Sequence, residues 1–248
     1  MLKKKLEILL EKVESFEKPI ARLEQYVTPA NIAAEVLYYA YLKGDIEGKI
    51  VFDLGCGTGK FAIGAALLGA REVRGFDVDE EALKVAKKNA EKLARQIAWV
   101  KSDVKDIKGS CDTVIQNPPF GVKKEKADRV FLKKALELGK VIYSMHKAET
   151  REFVTRYVEK LGGTITDVKR VEFLLPHSYK FHKKEKKKIS VDVYRIVKGL
   201  GTNATTKRSE LKWLKVVNLS YQESSSGSAK SLFRGKERTK RKGKSMPR

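Results

Sequence analysis

Cysteine, histidine, methionine and tryptophan are all scarce in this chain of 248 residues, which has 2 Cys, 3 His, 3 Met and 2 Trp. The two cysteines, Cys56 and Cys111, lie in segments that we expect to be interior, and neither has the spacing of a metal site. Two reduced thiols are therefore expected, rather than a disulfide framework. No bound metal is expected either.

Long apolar runs are also missing. No run approaches the roughly 20 apolar residues that a membrane-spanning helix needs. Residues 1–6, MLKKKL, lack both a continuous apolar stretch and a small-residue cleavage site, so we expect no signal peptide and a cytoplasmic protein. Apolar residues make up 42% of the chain, enough for a sizeable core. The many Lys and Glu residues and the few Asn and Gln residues are typical of a thermophile protein.

Acidic residues are outnumbered by basic ones, 31 against 53, which gives a formal net charge of +22. Residues 199–248 hold 13 basic and 3 acidic residues, or +10, and residues 1–198 hold 40 and 28, or +12. A protein this basic usually meets a polyanion, because each phosphate contact releases condensed counterions. The alternative is the lysine-covered surface of a thermophile protein. Charge therefore favours nucleic acid without saying which kind.

Apolar spacing alternates between strand and helix along most of the chain. Helices are predicted over residues 2–17, from Pro29 to about 44, from a glycine-rich turn to about 68, and over 79–94, 127–138 and 148–161. Strands are predicted over residues 49–54, 72–77, 97–101, 112–116, 140–144, 164–174 and 189–197. This alternation predicts an α/β fold with a mostly parallel sheet, helices on both faces and a final antiparallel pair. Residues 199–248 are predicted to be a flexible basic tail after a domain of residues 1–198.

A glycine-rich turn, DLGCGTG over residues 53–59, follows the first predicted strand and opens a helix. Glycines let the backbone turn sharply and approach a ligand closely, and a helix N-terminus favours polar or anionic groups. The glycine spacing is G-x-G-x-G. It differs from the G-x-G-x-x-G of dinucleotide sites, which argues against a nicotinamide oxidoreductase.

Acidic residues end the second and third predicted strands. Asp77 can hydrogen-bond both hydroxyls of a ribose, and Asp103 with the backbone amide of Val104 can hold an adenine edge. Either acid alone could be a helix cap. Together with the glycine turn they predict one ligand site, because open parallel sheets bind ligands at these strand ends. The pattern resembles class I S-adenosylmethionine-dependent methyltransferases over roughly residues 25–198, which implies their Rossmann-like seven-stranded sheet and their cofactor.

The most specific motif is Asn117-Pro118-Pro119-Phe120, after the fourth predicted strand. An adenine amine is a poor nucleophile, so it needs acceptors that hold its N–H bonds and draw the nitrogen toward a tetrahedral shape. The side-chain oxygen of Asn117 and the carbonyl of Pro118 are the predicted acceptors; the prolines stiffen the backbone, and Phe120 can stack a flipped-out base. The alternative is a proline-rich turn with Phe120 in the core. Such motifs belong to enzymes that methylate adenine N6, guanine N2 or a glutamine amide, so the substrate stays open.

Further segments resemble the small archaeal and eukaryotic methyltransferases that make N6-methyladenosine in small-subunit ribosomal RNA. These segments are QYVTP (residues 25–29), NPPFG (117–121), YSMHK (143–147) and PHSYKFHKK (176–184). With the glycine turn, the resemblance implies a cofactor site made of Gln25, Thr28, Asp53, Gly55, Gly57, Thr58, Gly59, Lys60, Asp77, Asp103 and Val104. It also implies a partner, because the eukaryotic members work with a small zinc-binding activator protein that covers an apolar edge.

A basic and aromatic segment separates the last two predicted strands, where lysines can track phosphates and aromatic rings can stack unpaired bases. Its predicted substrate contacts are Tyr179, Phe181, His182, Lys183, Lys184, Lys186, Lys187 and Lys188. A solvated hairpin loop is the alternative. Pro119 and His146 complete the predicted substrate contacts, and a structural role is the alternative for His146. A role for His146 as proton acceptor is disfavoured, because the methylated nitrogen can release its proton to water. Looped RNA is the expected ligand, because its bases are easily splayed.

These features favour methylation of adenine N6 in RNA. The alternatives are methylation of guanine N2 or of a protein glutamine, and a non-catalytic RNA-binding factor of ribosome assembly. The basic surface favours nucleic acid over protein, and the presence of Asp77, Asp103 and Asn117 together argues against a non-catalytic factor.

Overall fold

The computed structural model describes residues 1–17, 19–25, 27–93, 95–120, 127–175 and 187–199. Contacts divide the chain into two units, Met1–Ser209 and Glu210–Arg248, and every described residue belongs to the first. The predicted basic tail, apart from Gly199, lies outside the described residues. Within the described ranges, no helix is both long and apolar enough to cross a membrane.

Seven strands form one sheet. They are β1 (Ile50–Leu54), β2 (Glu72–Asp77), β3 (Ala98–Lys101), β4 (Cys111–Gln116), β5 (Gly139–Lys147), β6 (Gly163–Leu175) and β7 (Lys187–Lys198). Their order is β3-β2-β1-β4-β5-β7-β6; the first five run parallel, and β7 is antiparallel to both of its neighbours. This confirms the predicted Rossmann-like sheet with its antiparallel end. The direction of winding reverses between β1 and β4, which is where sheets of this kind bind ligands.

Helices pack on both faces of this sheet. They are α1 (Lys3–Glu11), α2 (Ala30–Leu42), α3 (Lys60–Leu67), α4 (Glu80–Lys92), α5 (Ala127–Leu138) and α6 (Arg151–Lys160). Successive strand residues point to opposite faces. On β4, the Thr113 hydroxyl donates to the carbonyl of Asp45, just after α2, at 2.6 Å, whereas Val114 packs in the core cluster that contains Leu132 of α5 and Val154 of α6. Both cysteines are buried and free.

Several predicted boundaries were wrong by two or more residues, and three of them bear on the site. The first helix ends at Glu11 rather than at residue 17, because the amide of Glu14 donates to the side chain of Asn89 at 3.0 Å instead of continuing the helix. β5 continues to Lys147, three residues beyond the prediction. β7 begins at Lys187, so Lys187 and Lys188 belong to a strand and not to the predicted loop.

Candidate active site

A cavity of about 440 Å³ lies at the carboxyl ends of β1, β2, β3 and β4. One of its walls comes from residues 12–29, which we call the N-terminal strap; Lys18 and Tyr26 within it are outside the described residues. Of the predicted site residues, those that line the cavity are Gln25, Thr28, Gly55, Gly57, Thr58, Lys60, Asp77, Asp103, Val104, Asn117 and Pro119. The fold therefore brings the glycine turn, the two acids and the NPPF motif to one place.

The glycine turn requires glycine for two reasons. Gly55, Gly57 and Gly59 have φ values of 69°, 52° and 88°, in the left-handed region that other residues rarely adopt. A Cβ atom on Gly57 would lie 2.9 Å from the Phe16 ring, and one on Gly59 would lie 2.6 Å from Trp99. The turn is held in place because the amides of Gly55 and Cys56 both donate to the carbonyl of Phe76. It therefore has its shape before any ligand binds.

Asp77 joins this turn to the next strand. Its Oδ2 atom accepts from the amide of Gly57 at 2.8 Å, and its Oδ1 atom accepts from the amide of Asp79 at 2.9 Å. Burial raises the pKa of the Asp77 carboxyl, and the two backbone amides oppose that rise. A carboxylate has about four acceptor sites, so each oxygen can take one more hydrogen bond. Two such oxygens beside a glycine turn fit the two ribose hydroxyls of S-adenosylmethionine.

Asp53 and Gly59 were predicted to bind the cofactor, but neither lines the cavity. Asp53 is 1% exposed beneath the turn, where its Oδ2 atom accepts from the amide of Ala62 at 2.9 Å. Burial raises the pKa of the Asp53 carboxyl to about 7. Gly59 precedes α3 and faces Trp99. Both residues shape the turn from below, whereas Asp103 and Val104 line the cavity as predicted.

The NPPF motif forms the opposite wall. The Nδ2 atom of Asn117 donates to the hydroxyl of Thr28 at 3.1 Å, and the amide of Phe120 donates to the carboxylate of Glu24 at 2.8 Å. Within the described part of the chain, two buried side-chain oxygens have no hydrogen-bond partner, Oδ1 of Asn117 and Oε1 of Gln116, and only Asn117 lines the cavity. Leaving such an atom unpaired costs about 1–3 kcal/mol. Pro118 is buried, and Phe120 is half-buried outside the cavity lining.

His146 lies beneath this wall rather than in it. Its side chain is 1% exposed, and its Nε2 atom is 2.7 Å from the hydroxyl of Ser144, which also accepts from Nε2 of Gln116 at 2.9 Å. Gln116, Ser144 and His146 therefore form one buried hydrogen-bonded chain. Burial lowers the pKa of His146 to about 3, so the ring is neutral. This position favours the structural role over the predicted contact with substrate.

Most of the predicted basic and aromatic segment lies outside the described residues. Outside the described residues are Tyr179, Phe181, His182, Lys183, Lys184 and Lys186. For Lys187 and Lys188 only the backbone of β7 is described.

Three residues that sequence reasoning missed hold the strap in place. Phe16, which apolar spacing assigned to the first helix, packs against Gly57. Asn89 is 1% exposed, and its Nδ2 atom donates to the carbonyls of Glu14 and Thr58. The sequence could have indicated Asn89, because it is an amide side chain on the apolar face of α4, among alanines that are buried. Glu24, which reaches the NPPF motif, had no signal in the sequence.

Sheets of this strand order, with a ligand cavity where the winding reverses, are typical of class I S-adenosylmethionine-dependent methyltransferases, and this chain is one of that class. The family described as Methyltransferase small domain matches residues 31–139. The rRNA N(6)-adenosine-methyltransferase METTL5 of Danio rerio is 40% identical, over 77% of this chain and 97% of its own length. The rRNA N(6)-adenosine-methyltransferase Mettl5 of Drosophila melanogaster is 39% identical, over 77% of this chain and 94% of its own length.

A solved structure gives the same result. PH1948 from Pyrococcus horikoshii, described as a candidate RNA methyltransferase, is 42% identical to this chain. Its TM-score is 0.76, and the match covers 81% of this chain and 99% of that one. The chain belongs to the methyltransferase family of these relatives, and S-adenosylmethionine is its cofactor.

Proposed function

We propose that this protein transfers the methyl group of S-adenosylmethionine to N6 of an adenine in RNA, with small-subunit ribosomal RNA as the target. The observation that carries the proposal is the buried, unpaired Oδ1 atom of Asn117 in the wall of the cofactor cavity. An amine N–H is the group that would satisfy this atom. The names of the animal relatives point to adenosine in ribosomal RNA as the source of that amine.

The proposed mechanism relies on acceptors and needs no strong base. The cofactor, when bound, supplies an electrophilic methyl group on a positively charged sulfur. Asn117 accepts one N–H of the adenine amine through Oδ1, and the Pro118 carbonyl accepts the other. These bonds draw the nitrogen out of the ring plane, so that its lone pair faces the methyl group. The hydroxyl of Thr28 accepts from Nδ2 of Asn117, which leaves Oδ1 available to the amine.

The proton that the nitrogen loses after methylation can pass to water. His146 is an unsuitable acceptor because it is buried, and its pKa is lowered to about 3. Phe120, held at its backbone amide by Glu24, is proposed to stack the flipped-out base, which contributes about 1–3 kcal/mol in comparable stacks. Lys60, in the cavity wall, is proposed to contact the carboxylate of the cofactor.

RNA binding is proposed to use the basic segment between β6 and β7. Clustered lysines contact phosphates without regard to sequence, and the net charge of +22 suits a polyanion. Changing Lys183, Lys184 and Lys186 to Gln should weaken RNA binding and reduce its salt dependence by about one unit for each phosphate that is no longer neutralised. Lys84, Lys87 and Lys88, which are exposed on α4, provide a control triplet. RNA binding that falls equally in both triplets would contradict a specific role for the basic segment.

We further propose a small zinc-binding activator protein as partner, and the cytoplasm as the place of action. β3 is the edge strand of the sheet, so among the described strands only β2 pairs with it, and Val100 within β3 is 38% exposed. An exposed edge with apolar side chains is a ready site for another chain. Val100→Glu should prevent co-purification with such a partner and leave cofactor binding intact.

The experiment that tests the function is transfer of labelled methyl from S-adenosylmethionine to purified small-subunit RNA, total protein and duplex DNA. Nucleoside analysis should find the label as N6-methyladenosine in RNA, and Asn117→Ala should lower its rate of formation by about 10²–10³-fold. Label in N2-methylguanosine or in protein would replace the proposal with one of the two enzyme alternatives. Binding of cofactor and RNA without any transfer, with or without an activator, would favour the non-catalytic factor.

A further inference from the structure

The NPPF motif has unusually few backbone groups by which it can be held. Pro118 and Pro119 carry no N–H, so the amide of Phe120 is the first backbone donor after Asn117. That amide donates to Oε2 of Glu24 at 2.8 Å. A hydrogen bond to a carboxylate is shorter and stronger than one between neutral groups. The position of the far end of the motif therefore depends on a side chain from the N-terminal strap.

Glu24 holds this position from an unfavourable backbone conformation. Its φ is 51°, and among the described residues it is the one non-glycine residue with a positive φ. Such conformations persist where the surroundings impose them, and they cluster at functional sites. The next residue, Gln25, supplies the constraint: its Oε1 atom accepts from the amide of Ile20 at 2.7 Å, and its Nε2 atom donates to Asp79 at 2.7 Å.

These contacts link the two walls of the cavity. Asp79 donates its amide to Asp77, and Asp77 accepts from the amide of Gly57 in the glycine turn. We call the glycine turn with Asp77 the cofactor wall, and the NPPF motif the acceptor wall. Gln25 is thus bonded to the cofactor wall through Asp79, and Glu24, one residue earlier, is bonded to the acceptor wall. Consecutive Cα atoms are about 3.8 Å apart, so a displacement of Gln25 also displaces Glu24.

We infer that Glu24 is a positioning residue through which the bound cofactor sets the geometry of the NPPF motif. The inference rests on the proposed function for the identity of the acceptor base, but not for the link itself. A cofactor in the cavity contacts the strap and favours the arrangement in which Glu24 holds Phe120. The motif then presents Asn117 and Phe120 to the base in one arrangement. The cofactor and RNA should consequently strengthen each other's binding.

The first measurement is the mutual effect of cofactor product and RNA on binding. In the wild type, S-adenosylhomocysteine should strengthen RNA binding about tenfold, within the usual range of coupling between sites. In Glu24→Ala this enhancement should vanish, kcat should fall about 100-fold because the motif is misplaced, and cofactor KM should change less than about threefold. Glu24→Gln keeps an acceptor oxygen and should recover most of kcat. The matched control is Glu14→Ala, an acid of the same strap whose side chain pairs with Lys88 and Lys92 instead.

The second measurement does not depend on RNA. Hydrogen exchange of the Phe120 amide, followed by NMR, should slow when S-adenosylhomocysteine binds to the wild type or to Glu14→Ala. Exchange should be fast with or without S-adenosylhomocysteine in Glu24→Ala. If Glu24→Ala does not fold, Gln25→Ala at saturating S-adenosylhomocysteine decides, because it frees Glu24 from the cofactor wall and should remove the response at Phe120.

The outcomes separate this inference from the proposed function. Unchanged kcat, coupling and Phe120 exchange in Glu24→Ala would overturn the inference, and so would a full response at Phe120 in Gln25→Ala. In a third outcome, the wild type methylates no RNA, but S-adenosylhomocysteine slows exchange of the Phe120 amide in the wild type and not in Glu24→Ala. This outcome would contradict the proposed function and still support the link through Glu24.

Discussion

The two walls of the cavity satisfy their polar groups in opposite ways. On the cofactor wall, Asp77 accepts two backbone amides, and the glycine turn is bonded to the carbonyl of Phe76. On the acceptor wall, Asn117 has its amide nitrogen paired with Thr28 and its buried oxygen unpaired. Each carboxylate oxygen of Asp77 therefore has a partner within the protein, whereas Oδ1 of Asn117 gains its partner from the proposed substrate.

This contrast has its origin in the residue types. Glycines keep their backbone amides and can turn toward the acid at the end of the neighbouring strand. Two consecutive prolines remove two backbone donors, so neither of the two residues that follow Asn117 can donate an N–H to its oxygen. The same prolines that stiffen the acceptor wall leave it one hydrogen bond short, at a cost that a bound amine relieves.

The largest expected effect comes from breaking the acceptor wall at Asn117. Asn117→Ala should lower kcat by about 10²–10³-fold, the range for loss of one positioned hydrogen-bonding group in other active sites. The dissociation constant of S-adenosylmethionine should change little, because the cofactor wall does not depend on Asn117. Calorimetry for the cofactor and initial rates for methyl transfer measure the two effects separately.

Asn117→Asp is the matched control, since it keeps an acceptor oxygen at the same place. It should retain more activity than Asn117→Ala. A cofactor affinity that falls together with kcat, in a folded Asn117→Ala protein, would contradict the division between the walls.

A smaller effect is expected when the cofactor wall is broken at Gly57. Gly57→Ala places a Cβ atom 2.9 Å from Phe16 at a φ of 52°, so cofactor binding should weaken about 10–100-fold, equivalent to about 1–3 kcal/mol of strain. Gly48→Ala is the control, because it has a φ of 69° and no atom within 4 Å of the new Cβ. Gly48 lies outside the cavity lining, so equal losses in both variants would mean that a general loss of stability, and not the fit of the glycine turn against the strap, lowers the affinity.

Sequence patterns predicted the parts of the molecule that local chemistry determines. The strands were predicted from their apolar residues, and the glycine turn from its G-x-G-x-G spacing. Asp77 and Asp103 were predicted from their positions at the ends of strands. The first part of the strap was not predicted, because apolar spacing continues through Phe16, whereas the helix ends at Glu11 and Glu14 contacts the distant Asn89. Gln25 and Thr28, in the last part of the strap, were predicted from the resemblance of the QYVTP segment. Glu24 could not have been found, since its role depends on a contact 96 residues away.

A buried titratable group lies beneath each wall, and the two respond to pH in opposite directions. Burial raises the pKa of Asp53, under the cofactor wall, from 3.8 to about 7, so between these values the folded protein holds a proton that the unfolded chain has lost. Burial lowers the pKa of His146, under the acceptor wall, from 6.5 to about 3, so the unfolded chain holds the extra proton. The contribution of Asp53 to the free energy of unfolding is therefore greatest below pH 3.8 and is lost as pH rises to about 7. Stability from His146 is greatest above pH 6.5 and is lost as pH falls to about 3.

The smallest expected effect follows from this opposition. Between about pH 4.5 and 6 the two groups cancel, and each alone would change the free energy of unfolding by about 1.4 kcal/mol per pH unit. Relative to the wild type, Asp53→Asn should make stability rise more steeply with pH over this window, and His146→Gln should make it fall. Urea unfolding at several pH values measures both slopes. Parallel curves for the wild type and Asp53→Asn would mean that Asp53 is ionised beneath the cofactor wall, and that this wall carries a buried negative charge rather than a neutral acid.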